Sequence, residues 1–312
     1  MDNLLMDNLL ALPVDYPSFI EHLVKKDHTA LAPEADVLRL DLLHPVVSGN
    51  KWFKLKGHLR QAILSPDPTI LTFGGAWSNH LVATAFAAKQ LGLPAIGIIR
   101  GERPPKLSAT LEDATSYGMS LIFISREEYA RKEQPGFLGE LAKSYPGVYI
   151  IPEGGGGEAG ILGCEDILKG INAAKYTHIL CAIGTGTTFL GLVRASTPDQ
   201  QVIGVPVLKG FDTLEAIDKD NILRQEFRGR CRLLPDFHFG GYARHPQQLL
   251  DFMNRFYRET GIPTDIVYTG KLFYALEQGL SQSLFPAHSR LLVIHSGGLQ
   301  GNQSLPPGKL AF

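Results

Sequence analysis

Several things are scarce in this chain, and each scarcity removes a class of function. Cysteine occurs only three times, at Cys164, Cys181 and Cys231. Three cysteines this far apart make neither a disulfide framework nor a zinc knuckle, so no metal site is expected. They suit a reducing compartment, as small apolar fillers. Neither sign of charge prevails: 30 Lys and Arg stand against 31 Asp and Glu, for a formal net charge of -1. That balance gives no electrostatic footprint for nucleic acid or an anionic membrane. Lys51, Lys54, Lys56 and Arg60 do cluster, but along one short amphipathic segment. No apolar run approaches the roughly 20 residues that span a bilayer. The first residues lack a basic stretch followed by an apolar one, so a cytoplasmic protein is expected.

What is present is an ordinary globular balance, 44% hydrophobic and 20% charged, which argues against wholesale disorder. At 312 residues the chain exceeds the size at which one core keeps growing, so two lobes are expected. Residues 1–10 repeat Met-Asp-Asn-Leu-Leu, which offers Met1 and Met6 as alternative starts and carries no functional argument.

Short apolar runs alternate with helical patterns. Thr69–Phe73 reads as a strand stopped by Gly74-Gly75, Ala76–Leu91 as a helix closed by Gly92, and Pro94–Arg100 as a strand. Ser108–Tyr117 reads as a helix ending at Gly118, with Ser120–Ser125 the next strand. After the glycines at 154–157 the alternation resumes: helix Glu158–Ala174, strand His178–Ile183, helix Phe189–Ala195, strand Gln201–Val207. Arg290–His295 is a late buried strand before Ser296-Gly297-Gly298. Such alternation implies βαβ units and parallel sheets in two α/β halves that meet near residues 151–164. Ligands then belong at the loops beyond the strand carboxyl ends.

Five segments carry candidate chemistry. Gly184-Thr185-Gly186-Thr187-Thr188 joins a strand to a helix, which suits a phosphate monoester at a helix N-terminus; an ordinary glycine turn is the plain alternative. Phe189 stands where a dinucleotide fingerprint needs its third glycine, and the next strand ends in Val207-Leu208-Lys209 without an acid for a ribose. No Lys-Ser/Thr pair makes it a Walker loop. Ser48-Gly49-Asn50-Lys51-Trp52 is a turn leading into a helix; a lysine amine there is a nucleophile only if burial or nearby charge lowers its pKa, and otherwise it is a solvated charge. Ser78, Asn79 and His80 follow Gly74-Gly75 at a strand-to-helix junction, where capping is the ordinary role of serine. Without a carboxylate at a readable spacing, a Ser-His-Asp hydrolase is weakly supported. Tyr242 after Gly240-Gly241, and Tyr268 in Val267-Tyr268-Thr269-Gly270-Lys271, stand beside glycines in loop settings.

In order, SGNKWFKLK, GGAWSNH, GTGTT, GGY, VYTGK and IHSGG resemble the D-cysteine desulfhydrase and 1-aminocyclopropane-1-carboxylate (ACC) deaminase group of fold type II, tryptophan-synthase-β-like enzymes that use pyridoxal 5′-phosphate (PLP). The resemblance runs from about Leu38 to Gly301. It implies an α/β fold of two domains, each a mostly parallel twisted sheet flanked by helices, with the active site in the cleft between them. Residues 1–51 and 162–312 would form the large cofactor-binding domain and 52–161 the small one.

The resemblance also implies roles. Lys51 would hold the cofactor as its internal aldimine and transfer protons, with Asn50 beside it. Asn79 would bond the cofactor 3′-hydroxyl, Gly184, Thr185, Gly186, Thr187 and Thr188 the phosphate, and Ser296 would face the pyridine nitrogen. Ser78, Asn79, His80 and Thr269 would meet the substrate, with Ser78, Tyr242 and Tyr268 also catalytic. A neutral hydroxyl at the pyridine nitrogen makes a weaker electron sink than a carboxylate and favours prompt β-elimination. ACC deaminases of the group have glutamate and leucine where this chain has Thr269 and Ser296; D-cysteine desulfhydrases have small hydroxyl residues at both. The expected reaction is therefore α,β-elimination from D-cysteine by a homodimer, giving pyruvate, ammonia and hydrogen sulfide. Two departures bear on substrate: Phe53 where arginine is usual, and GTGTT where GSGGT is commoner. ACC ring opening to 2-oxobutanoate is the alternative, and a non-catalytic binding protein of the same fold the more distant one.

Overall fold

A strand covered on both faces must be apolar along its whole length, and five runs here meet that condition. Thr69–Gly74, Ala95–Arg100, His178–Ile183, Gln201–Pro206 and Arg290–His295 are buried at nearly every position, the mark of parallel sheets flanked by helices. The computed structural model describes residues 19–23, 33–219 and 221–312, and the repeat at residues 1–10 lies outside them.

The first main elements are β1 (Ile20–Leu23), β2 (Glu34–Arg39), α1 (Asn50–Ala62), β3 (Thr69–Gly74), α2 (Asn79–Gln90), β4 (Ala95–Arg100), α3 (Ala109–Ser116) and β5 (Met119–Ile124). Next come α4 (Pro135–Ser144), β6 (Val148–Ile151), α5 (Gly157–Lys169), β7 (His178–Ile183), α6 (Thr187–Ala195) and β8 (Gln201–Pro206). β9 (Cys231–Leu233), α7 (Gln247–Thr260), α8 (Thr269–Ser281) and β10 (Arg290–His295) complete the set.

The chain divides into two compact units. The first comprises Lys51–Gly163 with His44–Val47; the second comprises Ser48–Asn50, Cys164–Phe312 and the described residues before His44. In the first, four parallel strands run in the order β5-β4-β3-β6. Its core packs Leu71, Phe73, Ile96 and Ile98 against Tyr129 and Phe137. Helices α1 and α5 touch backbone to backbone: a Cβ on Gly57 would stand 2.0 Å from the Ala159 carbonyl oxygen, and one on Gly163 2.1 Å from that of Phe53. Only glycine permits that approach, and it fixes the helix whose first turn holds Lys51.

The second unit holds six strands in the order β1-β2-β10-β7-β8-β9, of which only β1 and β2 pair antiparallel. Leu180, Val205 and Val293 from this sheet pack against Met253, Phe256, Leu272 and Phe273 of α7 and α8. Burying each such side chain contributes about 1.5–3 kcal/mol, which holds both helices to the sheet. Parallel pairing puts the carboxyl ends of β2, β7 and β10 on one edge, the edge where such sheets bind ligands.

The alternating reading of the sequence is met, with local differences. Helix α2 starts at Asn79 rather than Ala76, because Gly74–Ser78 is spent on a turn in which the Ser78 amide bonds the Gly75 carbonyl. Helix α5 stops at Lys169, followed by a separate 3-10 turn at Ala173–Lys175. Val267–Lys271 is not a loop: α8 begins at Thr269, capped by a carboxylate described below. Among the described residues no helix is long and apolar enough to cross a membrane.

Candidate active site

Within the second unit, three segments from distant parts of the sequence meet at the sheet's carboxyl edge. β7 ends at Ile183 and the chain turns through Gly184–Gly186 into α6. Gly186 occupies the N-cap position in the left-handed region at φ 89°, and no side chain caps the helix. A Cβ there would also lie 2.9 Å from Ile217 Cγ2. A helix start without a side-chain cap leaves its first amides for an incoming anion, which they and the helix dipole favour. Thr185 and Thr187 exchange a hydroxyl contact of 3.1 Å, and the Asn50 side-chain amide donates to Thr188 Oγ1 at 2.8 Å. The residue before Lys51 is thus tied to the loop expected to hold phosphate.

The second junction is between Ser48–Asn50 and Ser296–Gly298. The Asn50 amide donates to the Ser296 carbonyl at 3.2 Å. Gly49 lies against the same carbonyl, where a Cβ would stand 2.0 Å from the oxygen. Beneath this junction the buried carboxylate of Asp41 receives a two-point contact from Arg39 (2.9 and 2.7 Å) and faces His295 Nδ1 at 3.0 Å. Burial pushes the Asp41 carboxyl up, but His295 and Arg39 outweigh it and hold it at about 2. His295 Nε2 meets the Pro263 carbonyl at 2.8 Å.

Tyr268 lies against Gly184: a Cβ on that glycine would be 3.0 Å from the Tyr268 ring. Tyr242, 49% exposed, stands nearly perpendicular to Tyr268 with centroids 6.4 Å apart. Thr269 departs from expectation. Its hydroxyl is fully buried, donates to Asp265 Oδ1 at 2.7 Å and accepts the Asp265 amide at 2.7 Å. A hydroxyl has one proton to donate, so this one is spent on a cap rather than on a substrate. Asp265 also accepts the amides of Val267, Tyr268 and Thr269, and these charge-assisted bonds aim Tyr268.

In the first unit, Lys51 lies in the first turn of α1 and Ser78-Asn79-His80 at the start of α2. Ser78 sits at the N-cap position, yet its side chain makes no capping bond, which leaves that helix start suited to a carboxylate. Asn79 follows as the first helical residue. His80 departs from its expected substrate contact. It is 2% exposed, and its Nε2 lies 2.8 Å from Thr72 Oγ1. That hydroxyl donates to the Ile151 carbonyl at 2.9 Å, so it must accept from His80, which fixes the proton on Nε2 and leaves the buried Nδ1 without a protein partner. Burial, then the charges of Lys51, Lys54 and His58, hold His80 well below its ordinary value. Its ring is a neutral core group inside the first unit.

Sequence reading missed Asp265, Asp41, Arg39 and Thr72. Asp265 had a signal, an aspartate just ahead of a helical start. The Asp41–His295 pair had none, because its members are brought together only by the pairing of β2 with β10, in which Arg39 lies beside His295.

Residues 29–297 match the family model described as pyridoxal-phosphate dependent enzyme. The chain belongs to that family. As a PLP-dependent enzyme it is 30% identical over 282 residues to a Thermotoga maritima protein named "Putative 1-aminocyclopropane-1-carboxylate deaminase", covering 85% of this chain and 88% of that one. A Pyrococcus horikoshii protein of the same name is 28% identical over 277 residues, covering 85% and 84%. A crystal structure described as an ACC deaminase homologue superposes with a TM-score of 0.78 at 26% identity, covering 97% of both chains. The group is thus that of ACC deaminase and D-cysteine desulfhydrase. The residues present fit the cofactor: an uncapped glycine-started helix for the phosphate, a lysine one residue from an asparagine tied to that helix, and a serine hydroxyl at the end of β10.

Proposed function

We propose that this PLP-dependent enzyme catalyses α,β-elimination from a small β-substituted D-amino acid of the D-cysteine type, as a cytoplasmic homodimer. The observation that carries this reading is the group at the carboxyl end of β10: Ser296, a buried neutral hydroxyl in place of a carboxylate. The bound cofactor supplies the electron sink for the pair left at the substrate α-carbon, and a neutral partner at its ring nitrogen keeps that sink shallow. The residues act around it. Lys51 would hold the cofactor through its aldehyde group, and its amine, once free, would take the α-proton of the substrate. The first amides of α6, with Thr185, Thr187 and Thr188, would hold the phosphate, and Asn79 would bond the ring hydroxyl. Ser78 and the start of α2 receive the substrate carboxylate, while Tyr242 and Tyr268 shape the side on which the β-substituent departs. With D-cysteine the Cβ–S bond breaks, sulfur leaves as hydrogen sulfide, and water releases pyruvate and ammonia.

ACC ring opening is the second reading, favoured by the name the Thermotoga and Pyrococcus relatives share. The two part on product: sulfide and pyruvate from D-cysteine, or 2-oxobutanoate from ACC. Ring opening without sulfide release would overturn the elimination reading. Lys51→Ala is expected to abolish the borohydride-fixed linkage between protein and cofactor; its persistence would remove Lys51 from the role.

A further inference from the structure

A lysine other than Lys51 is buried without an assigned task. Lys271, in the first turn of α8, is fully shielded from solvent. Its Nζ donates to the His238 carbonyl at 2.9 Å and the Gly241 carbonyl at 2.7 Å. Both carbonyls lie in the His238–Ala243 loop, which carries Tyr242. That loop is strained: Phe239 (φ 52°), Gly240 (φ 93°), Gly241 (φ 115°) and Ala243 (φ 54°) all adopt left-handed backbone, which non-glycine residues hold only when their surroundings impose it. The loop has bonds of its own: the Gly240 amide reaches His238 Nδ1 at 2.9 Å, and the Ala243 carbonyl meets His245 Nδ1 at 2.7 Å. The Gly241 amide reaches the His238 carbonyl at 3.0 Å, and the Arg244 amide the Gly241 carbonyl at 3.2 Å. Lys271 therefore lands on the two acceptors that already close the turn.

Resting on the reading of Tyr242 as an active-site residue, we infer that Lys271 is a positioning residue whose amine clamps the His238–Ala243 loop and thereby sets where Tyr242 stands beside Tyr268. The arrangement joins two site tyrosines through one helix start. Tyr268 precedes the first residue of α8, Lys271 is three residues further along, and the side chain of Lys271 reaches back to the loop of Tyr242. Burying an amine is costly to the fold. Desolvation lowers Lys271 to about 8, although the nearby Asp265 carboxylate acts in the opposite direction. A lysine retained there only for stability would be a poor choice, since methionine fills the same space without that penalty.

The test compares Lys271→Met, Lys271→Gln and Tyr242→Phe in the full-length holoenzyme, with amide exchange also followed on the apoprotein. For Lys271→Met the expected result is a thermal midpoint at or above wild type, at least tenfold faster exchange of the Gly241 and Arg244 amides, and a kcat at least tenfold lower with KM changed less. Lys271→Gln, which can still donate to one carbonyl, should fall between the two in both exchange and kcat, and it carries the test if the methionine variant fails to fold. Wild-type amide exchange in the substituted protein overturns the clamp. Fast exchange with wild-type kcat overturns the positioning role, provided Tyr242→Phe is impaired. If Tyr242→Phe itself turns over normally while exchange responds to Lys271→Met, the clamp stands and the catalytic reading of Tyr242 fails.

Discussion

Gly49 and Gly92 share one backbone conformation, φ +67°, but not one environment. A Cβ on Gly92 would meet nothing within 4 Å, whereas one on Gly49 would stand 2.0 Å from the Ser296 carbonyl oxygen and 2.4 Å from its carbon. Gly92→Ala therefore pays only the left-handed strain of an L-residue, about 1 kcal/mol. Gly49→Ala has that strain and must also drive two backbones apart by roughly 1.5 Å to restore ordinary contact. That displacement breaks the Asn50–Ser296 bond of 3.2 Å, at about 1 kcal/mol net plus ~1–3 kcal/mol for burying the groups it leaves unpaired. The total is about 3–5 kcal/mol, against about 1 for the control. At roughly 2–4 °C per kcal/mol for a chain of this size, the thermal midpoint should fall by about 10 °C in one variant and by about 3 °C in the other. Function should separate them further. Gly49 sits two residues before Lys51, and Asn50 is also tied to Thr188, so the shift strains the link between the residue before Lys51 and the loop proposed to hold the phosphate. Misplacement on that scale can cost ~10²-fold. Absorbance titration with PLP should show at least tenfold weaker binding for Gly49→Ala and wild-type affinity for Gly92→Ala. Equal midpoints and equal cofactor affinities in the two variants would refute the reasoning.

Two further predictions concern buried ionisable groups. Asp41, held at about 2 by His295 and Arg39 despite its burial, has a folded value below its unfolded one. It therefore contributes stability at pH above about 4, worth about 2–3 kcal/mol, that is lost as pH falls from about 4 to about 2. Asp41→Asn should cost about 3 kcal/mol near pH 6, because buried His295 loses its carboxylate and Arg39 keeps only the partly exposed Glu21, and should flatten the acid limb of the urea midpoint. An acid limb as steep as wild type would refute that assignment. Cys164 and Cys181 are fully buried, and burial pushes the Cys231 thiol up to about 11. At pH 8 its thiolate is then roughly a hundredfold scarcer than that of free cysteine, so Ellman's reagent should find three thiols after denaturation and none reacting within a minute before it. One fast thiol in the native protein would contradict this.

Much of the fold was legible along the chain because parallel strands buried on both faces have to be written as unbroken apolar runs. His178–Ile183 and Arg290–His295 come out of the sequence with the bounds the structure has, and glycines mark where α2 and α3 end. The PLP family was legible for a different reason: six short motifs in fixed order are improbable in company, although each alone reads as a turn, a cap or a solvated charge. Helix ends were less legible, since Ser78, Asp265 and Thr269 could each cap, bind or do both, and single residues do not say which. What the sequence determined by itself is the set of groups: a lysine after an asparagine, a glycine-threonine loop, a serine beyond the last strand. Only the tertiary structure decided what those groups are free to do. It spent the Thr269 hydroxyl on Asp265, closed the His80 ring against Thr72, set Gly49 against the Ser296 carbonyl and drove Lys271 under the loop of Tyr242. Each of these depends on hydrogen-bond partners supplied by the folded chain, and a donor with one proton can serve only the acceptor that the fold brings to it.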